Sequence, residues 1–178
     1  MFWLGLLVCL MGVISYFSSH NAEEVVGAST AISTVTYPAL EATDRLEKAV
    51  EDIEEILIQT IRYSDEEYLV ELNKEALFFN NTVSGLRRIK DDVLLRELQD
   101  TFNEYVERSR NVCQLYLKNQ DIAAIGEDLK LTSDMTKAMQ KEIGDFRAAK
   151  AVEFQESLKR VSALSQKNSN MSIVSIML

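Results

Sequence analysis

A heptad pattern of apolar and small residues runs through residues 25–60 and limits what this chain can fold into. Steps of four and three residues alternate along it, a spacing that keeps one face of an α-helix against a partner over many turns. Such a helix is on the order of 50 Å long at the α-helical rise per residue. The pattern positions are Val25, Ser29, Ile32, Thr36, Ala39, Thr43, Leu46, Val50, Ile53, Leu57 and Thr60.

The composition favours a few long helices. The chain has 178 residues, of which 47% are hydrophobic and 26% charged, so one domain with an apolar core can form. It contains only 6 Gly and 1 Pro, and no segment alternates apolar and polar residues as a half-buried strand would. We therefore predict an all-α fold. The formal net charge of −9 disfavours nucleic acid as a partner, because phosphates require a basic protein surface.

The N-terminal run of the chain is apolar and uncharged as far as residue 18, which predicts a transmembrane helix. Trp3, Tyr16 and Phe17 stand near its two ends, where aromatic side chains favour the membrane interface. A cleaved signal peptide and a buried core helix are the alternatives. No Lys or Arg precedes the run and no A-x-A-like cleavage site follows it, so we favour an uncleaved anchor over residues 1–19.

Pro38 is the one proline and falls inside the first heptad pattern. An interior proline removes a backbone donor and usually kinks a helix, but Pro38 could also mark a helix start with Thr36 as its cap. The pattern keeps its register through residue 38, so we predict a bent but continuous helix.

Three further heptad patterns predict three more helices. The first helix should end near Tyr63, and a Ser-x-x-Glu capping box over residues 64–67 should start the second. Asp91 and Asp92 favour the start of the third helix, and Asp121 is the predicted N-cap of the fourth. The pattern positions are Leu69, Leu72, Ala76, Phe79, Val83 and Leu86; then Leu95, Leu98, Phe102, Tyr105, Ser109, Val112 and Tyr116; then Ile122, Ile125, Leu129, Met139, Ile143, Phe146, Phe154, Leu158 and Val161.

The connections between these helices are short, so neighbouring helices should run antiparallel. We predict an up-down-up-down four-helix bundle over residues 20–169, with the transmembrane helix continuous with the first bundle helix. The last residues, 171–178, are apolar and uncharged. They form either a frayed tail or the start of a second transmembrane helix, and we favour the second interpretation for residues 170–178. Both membrane ends would then lie at one pole of the bundle.

The order of these segments resembles the four-helix-bundle sensor module of bacterial methyl-accepting chemotaxis receptors. The same module occurs on some sensor histidine kinases and diguanylate cyclases. The resemblance covers the whole chain, in architecture more than in motif. It rests on the anchor, the segment TYPALEATDRLEKAVEDIEEILIQTI, two shorter helices that contain FFNNTVSGLRRIK and LLRELQDTFNEYVERSR, and a last helix that leads into an apolar run.

The resemblance implies a homodimer that senses a small molecule outside the cytoplasm and signals by small displacements of its membrane-spanning helices. It implies a bundle on the periplasmic side of the bacterial inner membrane. An output domain for chemotaxis, or a kinase or cyclase domain, would follow Leu178. The alternative function is a membrane-anchored helical scaffold that mediates assembly without a ligand. Neither interpretation makes these residues an enzyme.

In the receptors that this chain resembles, arginines on the bundle helices hold the carboxylate of the ligand. The candidates here are Arg62, Tyr63 and Tyr68 at the membrane-distal end, with Arg45 further back on the same helix. The alternative is that these arginines pair with nearby Glu and Asp on the surface. We predict no catalytic group, metal or cofactor, because His20 is the only histidine and no Cys-x-x-Cys motif occurs.

Overall fold

The chain forms four helical stretches in the computed structural model. The backbone is described for all residues except 1, 91, 120 and 178, and the side chains for all except these and residues 2–11, 13–15, 17, 18, 168 and 171–177. No strand occurs among the described residues, which confirms the all-α prediction. The elements are α1 (Phe2–Ala31), a π-helical turn (Ile32–Thr36), α2 (Tyr37–Tyr63), α3 (Glu67–Ile89), α4 (Val93–Asn119) and α5 (Ile122–Met177).

Two compact units divide the chain. The first, called here the four-helix unit, is Pro38–Lys150 and contains most of α2, all of α3 and α4, and the first half of α5. The second, called here the terminal unit, is composed of Met1–Tyr37 and Ala151–Leu178.

The core of the four-helix unit is built from the predicted heptad positions. Every pattern position of α2 from Ala39 to Thr60 is buried, and so is every pattern position of α4. Phe79 of α3 and Phe102 of α4 stack with their ring centroids 3.5 Å apart and their planes at 8°. The helical period of burial therefore matches the period of the sequence, as expected for helices that bury one face each.

Side-chain contacts give the direction of each helix in this unit. Asn80 of α3 bonds to Asn103 of α4, while Asn73, nearer the start of α3, bonds to Arg110, nearer the end of α4. These two helices are therefore antiparallel. The contacts of α5 with α4 run in the same opposed order, through Asp128–Arg108, Thr136–Tyr105 and Lys150–Asp92. This order is compatible with the predicted up-down-up-down bundle.

The start of α3 differs from the predicted capping box. Ser64 has a positive φ of 53°, and its N–H donates to the carbonyl oxygen of Thr60 at 2.9 Å. It therefore terminates α2, in the left-handed conformation that commonly ends helices. Asp65 is the residue that caps α3, because its Oδ1 accepts from the N–H of Glu67 at 2.9 Å. The prediction that Ser64 caps α3 is wrong.

The predicted Asp121 cap is confirmed, and Asp92 caps α4 where the sequence predicted a helix start favoured by acidic residues. Asp92 Oδ1 accepts from the N–H of Leu94 at 3.1 Å, and Asp121 Oδ1 accepts from the N–H of Ala123 at 2.9 Å. Each carboxylate satisfies a backbone donor that has no partner inside its helix. Asp91 lies outside the described residues.

Pro38 lies within a continuous helical backbone, as predicted, and a π-helical turn precedes it. The N–H of Tyr37 donates to the carbonyl of Ile32, five residues back, instead of to the fourth. Ser33 Oγ and Thr34 Oγ1 both donate to the carbonyl of Thr30, at 3.0 and 2.8 Å. Because Pro38 has no N–H and its ring crowds the carbonyl four residues earlier, the wider turn accommodates it without ending the helix.

The terminal unit buries its heptad positions only in part. Val25 of α1, Ile32 of the π-helical turn and Phe154 and Val161 of α5 are half-buried, whereas Leu158 is exposed. No helix of the described residues is long and apolar enough to cross a membrane. Most side chains of residues 1–19 and nearly all of those of residues 170–178 lie outside the described part, so both membrane segments stay predictions.

Candidate functional site

The structure brings together two of the four predicted ligand-binding residues at the turn between α2 and α3. The rings of Tyr63 and Tyr68 stack with centroids 6.2 Å apart and planes at 27°. Tyr63 is 60% exposed, while Tyr68 is half-buried and packs against the core. Desolvation raises the pKa of Tyr68, and the neighbouring Tyr63 and Asp65 raise it further. The Tyr68 phenol is therefore a neutral hydrogen-bonding group at physiological pH.

Arg62 is exposed in the last turn of α2, directly before this tyrosine pair. Its positive charge is favourable at a helix C-terminus, because the macrodipole is negative there. Arg62 directly precedes Tyr63 in the chain, and a guanidinium and tyrosine rings together have the chemistry to contact an anion with an apolar part.

Arg45 lies far from the group formed by Arg62, Tyr63 and Tyr68. It is about 25 Å from Arg62 along the axis of α2, at the α-helical rise per residue. Its Nη2 lies 2.6 Å from Glu41 Oε1 of the same helix, and both side chains are more than half exposed. One small ligand cannot contact Arg45 and Arg62 of one chain at the same time.

A cleft of about 690 Å³ lies between α4 and α5 in the four-helix unit. Arg108 lines it, with Nη1 3.4 Å from Asp128 Oδ1 and with a buried Nε that has no hydrogen-bond partner. Glu104 and Glu107 line the same cleft, so acidic groups surround the guanidinium. The described residues contain no group of three His, Cys, Asp or Glu side chains that could hold a metal ion.

A second cleft, of about 490 Å³, lies between α2 and α5. Its apolar lining includes Ile58 of α2 and Leu129 of α5, and Lys130 and Lys137 line it as well. Ile58 is 51% exposed where it lines this cleft. The cleft is therefore partly apolar and lies along the α2–α5 side of the four-helix unit.

Tyr105 is fully buried where α2, α4 and α5 meet. Thr136 Oγ1 of α5 donates to Tyr105 Oη at 3.2 Å, and Oη lies 3.5 Å from the carbonyl oxygen of Val50 in α2. Burial raises the pKa of Tyr105 to about 12. The phenol therefore stays protonated and acts as a neutral link between helices, not as an acid or base.

Lys150 and Asp92 form an ion pair at the start of α4. The Lys150 side chain is 6% exposed, and its Nζ lies 2.8 Å from Asp92 Oδ2 and 5.3 Å from the centroid of the Phe146 ring. The hydrogen bond from Lys150 holds the pKa of Asp92 below its usual value. The pair is well placed to hold α5 against the start of α4.

Arg147 of α5 makes three contacts with α2. Its Nε donates to Thr43 Oγ1 at 3.0 Å, and its Nη2 lies 2.5 Å from Asp44 Oδ1 and 2.7 Å from Glu47 Oε2. Arg147 is not among the residues that the sequence predicts to be functional. Its position nevertheless indicates pairing between helices, because it directly follows the heptad position Phe146, and charged residues that flank a heptad pattern often pair between helices.

Comparison with protein-family models, with curated proteins and with solved structures finds no match to this chain.

Proposed function

We propose that this chain is the extracytoplasmic sensory module of a bacterial transmembrane receptor, which reports the binding of a small molecule by displacing helices. The observation that supports this most is the length of α5, one helix from Ile122 to Met177. Its first half packs in the four-helix unit, and it continues into the uncharged residues 171–178. A continuous helix passes a shift along its length, because it slides or rotates more readily than it stretches; shifts of about 1–2 Å are common.

The first helical stretch is also continuous, so it too can pass a shift along its length. Helical backbone runs from Phe2 through the π-turn to Tyr63 without a gap. In this proposal residues 1–19 anchor the chain, residues 170–178 begin a second span, and the four-helix unit stands on the periplasmic side of the inner membrane. The output domain, for chemotaxis or with kinase or cyclase activity, follows Leu178.

A homodimer is part of the proposal. Two features support it, each in its own unit. The terminal unit leaves Val26 and Leu158 exposed beside half-buried heptad positions, and the α2–α5 cleft of the four-helix unit exposes Ile58. A second copy of the chain would cover apolar surface that one chain leaves in water.

The proposed ligand contact is the group formed by Arg62, Tyr63 and Tyr68. An exposed guanidinium beside stacked rings suits a small anion with a flat or apolar part. Arg45 would belong to a separate contact, because of its distance from Arg62 and its ion pair with Glu41. A ligand must bind one arrangement of the helices better than the other to produce a signal.

The test is a thermal-melting screen of the full chain in detergent against a broad panel of small metabolites. A ligand at about 100 times its dissociation constant should stabilise the folded state by about 2.7 kcal/mol, which raises the melting temperature. Arg62→Ala should abolish that increase, and Arg88→Ala, which removes an exposed arginine from the last turn of α3, should leave it unchanged. If no metabolite raises the melting temperature, the proposal fails and the scaffold function replaces it.

A further inference from the structure

We infer that Arg147 is a two-position latch that sets the register of α5 against α2. The inference deepens the proposed function and rests on it for its signalling role, although the geometry belongs to the four-helix unit alone. One nitrogen, Nη2, contacts both Asp44 and Glu47. These carboxylates are three residues apart on α2, about 4.5 Å along the helix axis. Arg147 therefore sits between two acceptors at different levels of α2.

The geometry permits a small axial movement that exchanges one acceptor for the other. If α5 slides toward the Tyr63 end of α2, Arg147 keeps Glu47 and moves away from Asp44. If it slides the other way, Arg147 keeps Asp44 and moves away from Glu47. A shift of about 1–2 Å is enough to favour one of them, which is the usual size of helix movements at packed interfaces.

The surroundings of the latch favour such an exchange. The side chains of Asp44, Glu47 and Arg147 are 78%, 37% and 39% exposed, so water can solvate whichever carboxylate is released. The other contacts of α5 tolerate a small shift. Thr136 Oγ1, which contacts Tyr105 Oη at 3.2 Å, has a second acceptor at 3.2 Å in the carbonyl of Thr132 of its own helix, and Lys150 reaches Asp92 through a flexible four-carbon chain.

A latch and a static clamp make different predictions for loss of a single acceptor. With a latch, Asp44→Asn leaves Glu47 as the charged partner and moves α5 toward the Tyr63 end of α2. Glu47→Gln leaves Asp44 and moves α5 in the opposite direction. With a static clamp, both substitutions weaken the same contact and neither moves α5 in a particular direction.

The experiment measures the distance between spin labels at Glu51→Cys on α2 and Ala148→Cys on α5, by pulsed electron paramagnetic resonance. Both positions are exposed. The full chain is used folded in detergent with Cys9→Ser, and the other native cysteine, Cys113, is fully buried and therefore shielded from the label. Because Glu51 lies on the Tyr63 side of the latch, Asp44→Asn should shorten the mean distance and Glu47→Gln should lengthen it, each by about 1–2 Å.

Glu41→Gln is the matched control, because Glu41 pairs with Arg45 inside α2 at 2.6 Å. It should leave the label distance unchanged. Arg147→Lys keeps the charge but loses the planar fork, and should broaden the distance distribution. If Asp44→Asn and Glu47→Gln shift the distance in the same direction, or no more than Glu41→Gln does, the latch is overturned.

The result does not depend on a ligand. Opposite shifts in a chain that binds no metabolite would uphold the latch while the sensory proposal fails. A ligand-induced rise in melting temperature without opposite shifts would uphold the sensory proposal while the latch fails.

Discussion

Lys150 and Asp92 form an ion pair of low exposure in the four-helix unit, with 6% and 19% of their side chains exposed. The ammonium is almost completely buried, and Asp92 also caps α4. Asp92→Asn removes the carboxylate that lies 2.8 Å from that ammonium, and we expect it to lower the free energy of unfolding by about 2 kcal/mol, the usual cost of losing a hydrogen bond to a charged group. Denaturant unfolding at neutral pH measures this, with Glu41→Gln as the exposed control. A loss no larger than that of the control would contradict the prediction.

The same pair predicts a dependence on pH. The folded-state pKa of Asp92 is lowered from the model-compound value of 3.8, chiefly by the hydrogen bond from Lys150. A lowered pKa contributes stability that is fully present above the unfolded value and is lost as the pH falls through the folded value. The stability difference between the native chain and Asp92→Asn should therefore be constant near neutral pH and shrink below about pH 4. A difference that stayed constant down to pH 2 would contradict this.

At the scale of one element, the π-turn is the local adaptation that lets the first helical stretch pass through Pro38. Pro38→Ala restores a backbone donor, so we expect the turn to become an ordinary α-helix. The substitution should raise stability, by at most about 3 kcal/mol, which is the penalty for an interior proline. Hydrogen exchange of the amides of residues 32–37 should slow accordingly. Glu41→Ala, on the next turn of α2, is the control, and unchanged exchange in Pro38→Ala would contradict the prediction.

The elements also show how far local sequence information reaches. The helix end near Tyr63, the acidic start of α4 and the Asp121 cap agree with the predictions, because they depend on residues a few positions away. The prediction that Ser64 caps α3 does not agree with the structure. Serine and aspartate are both common helix caps, so the local sequence suits a cap at Ser64 or at Asp65 equally well. Ser64 takes a positive φ because the chain has to reverse within three residues. This conformation ends α2 at Ser64, and Asp65 then becomes the residue that caps α3.

For the whole molecule, the exposed apolar side chain of Ile58 bears on the proposed homodimer. Ile58→Glu places a charge in the partly apolar α2–α5 cleft and should weaken dimerisation at least about tenfold, a change of about 1.4 kcal/mol. Leu77→Glu is the matched control, because Leu77 is 62% exposed on α3 and does not line that cleft. Sedimentation of the full chain in detergent measures both variants. If the two variants dimerise with equal affinity, the dimer interface does not include the α2–α5 cleft.

The sequence by itself determined the helical class, the number of helices and most of the core, although it missed the buried Ile56, Val106 and Cys113 and included Ile122, which is 57% exposed. It could do so because burial in a helix repeats with the helical period, and residues such as Leu46 and Phe102 carry that period themselves. The tertiary structure decided which polar groups meet. Arg45 pairs within its own helix, whereas Arg147 reaches carboxylates about a hundred positions earlier in the chain. The position of Arg147 beside Phe146 indicates pairing between helices, but the choice of Asp44 and Glu47 as its partners depends on how whole helices pack.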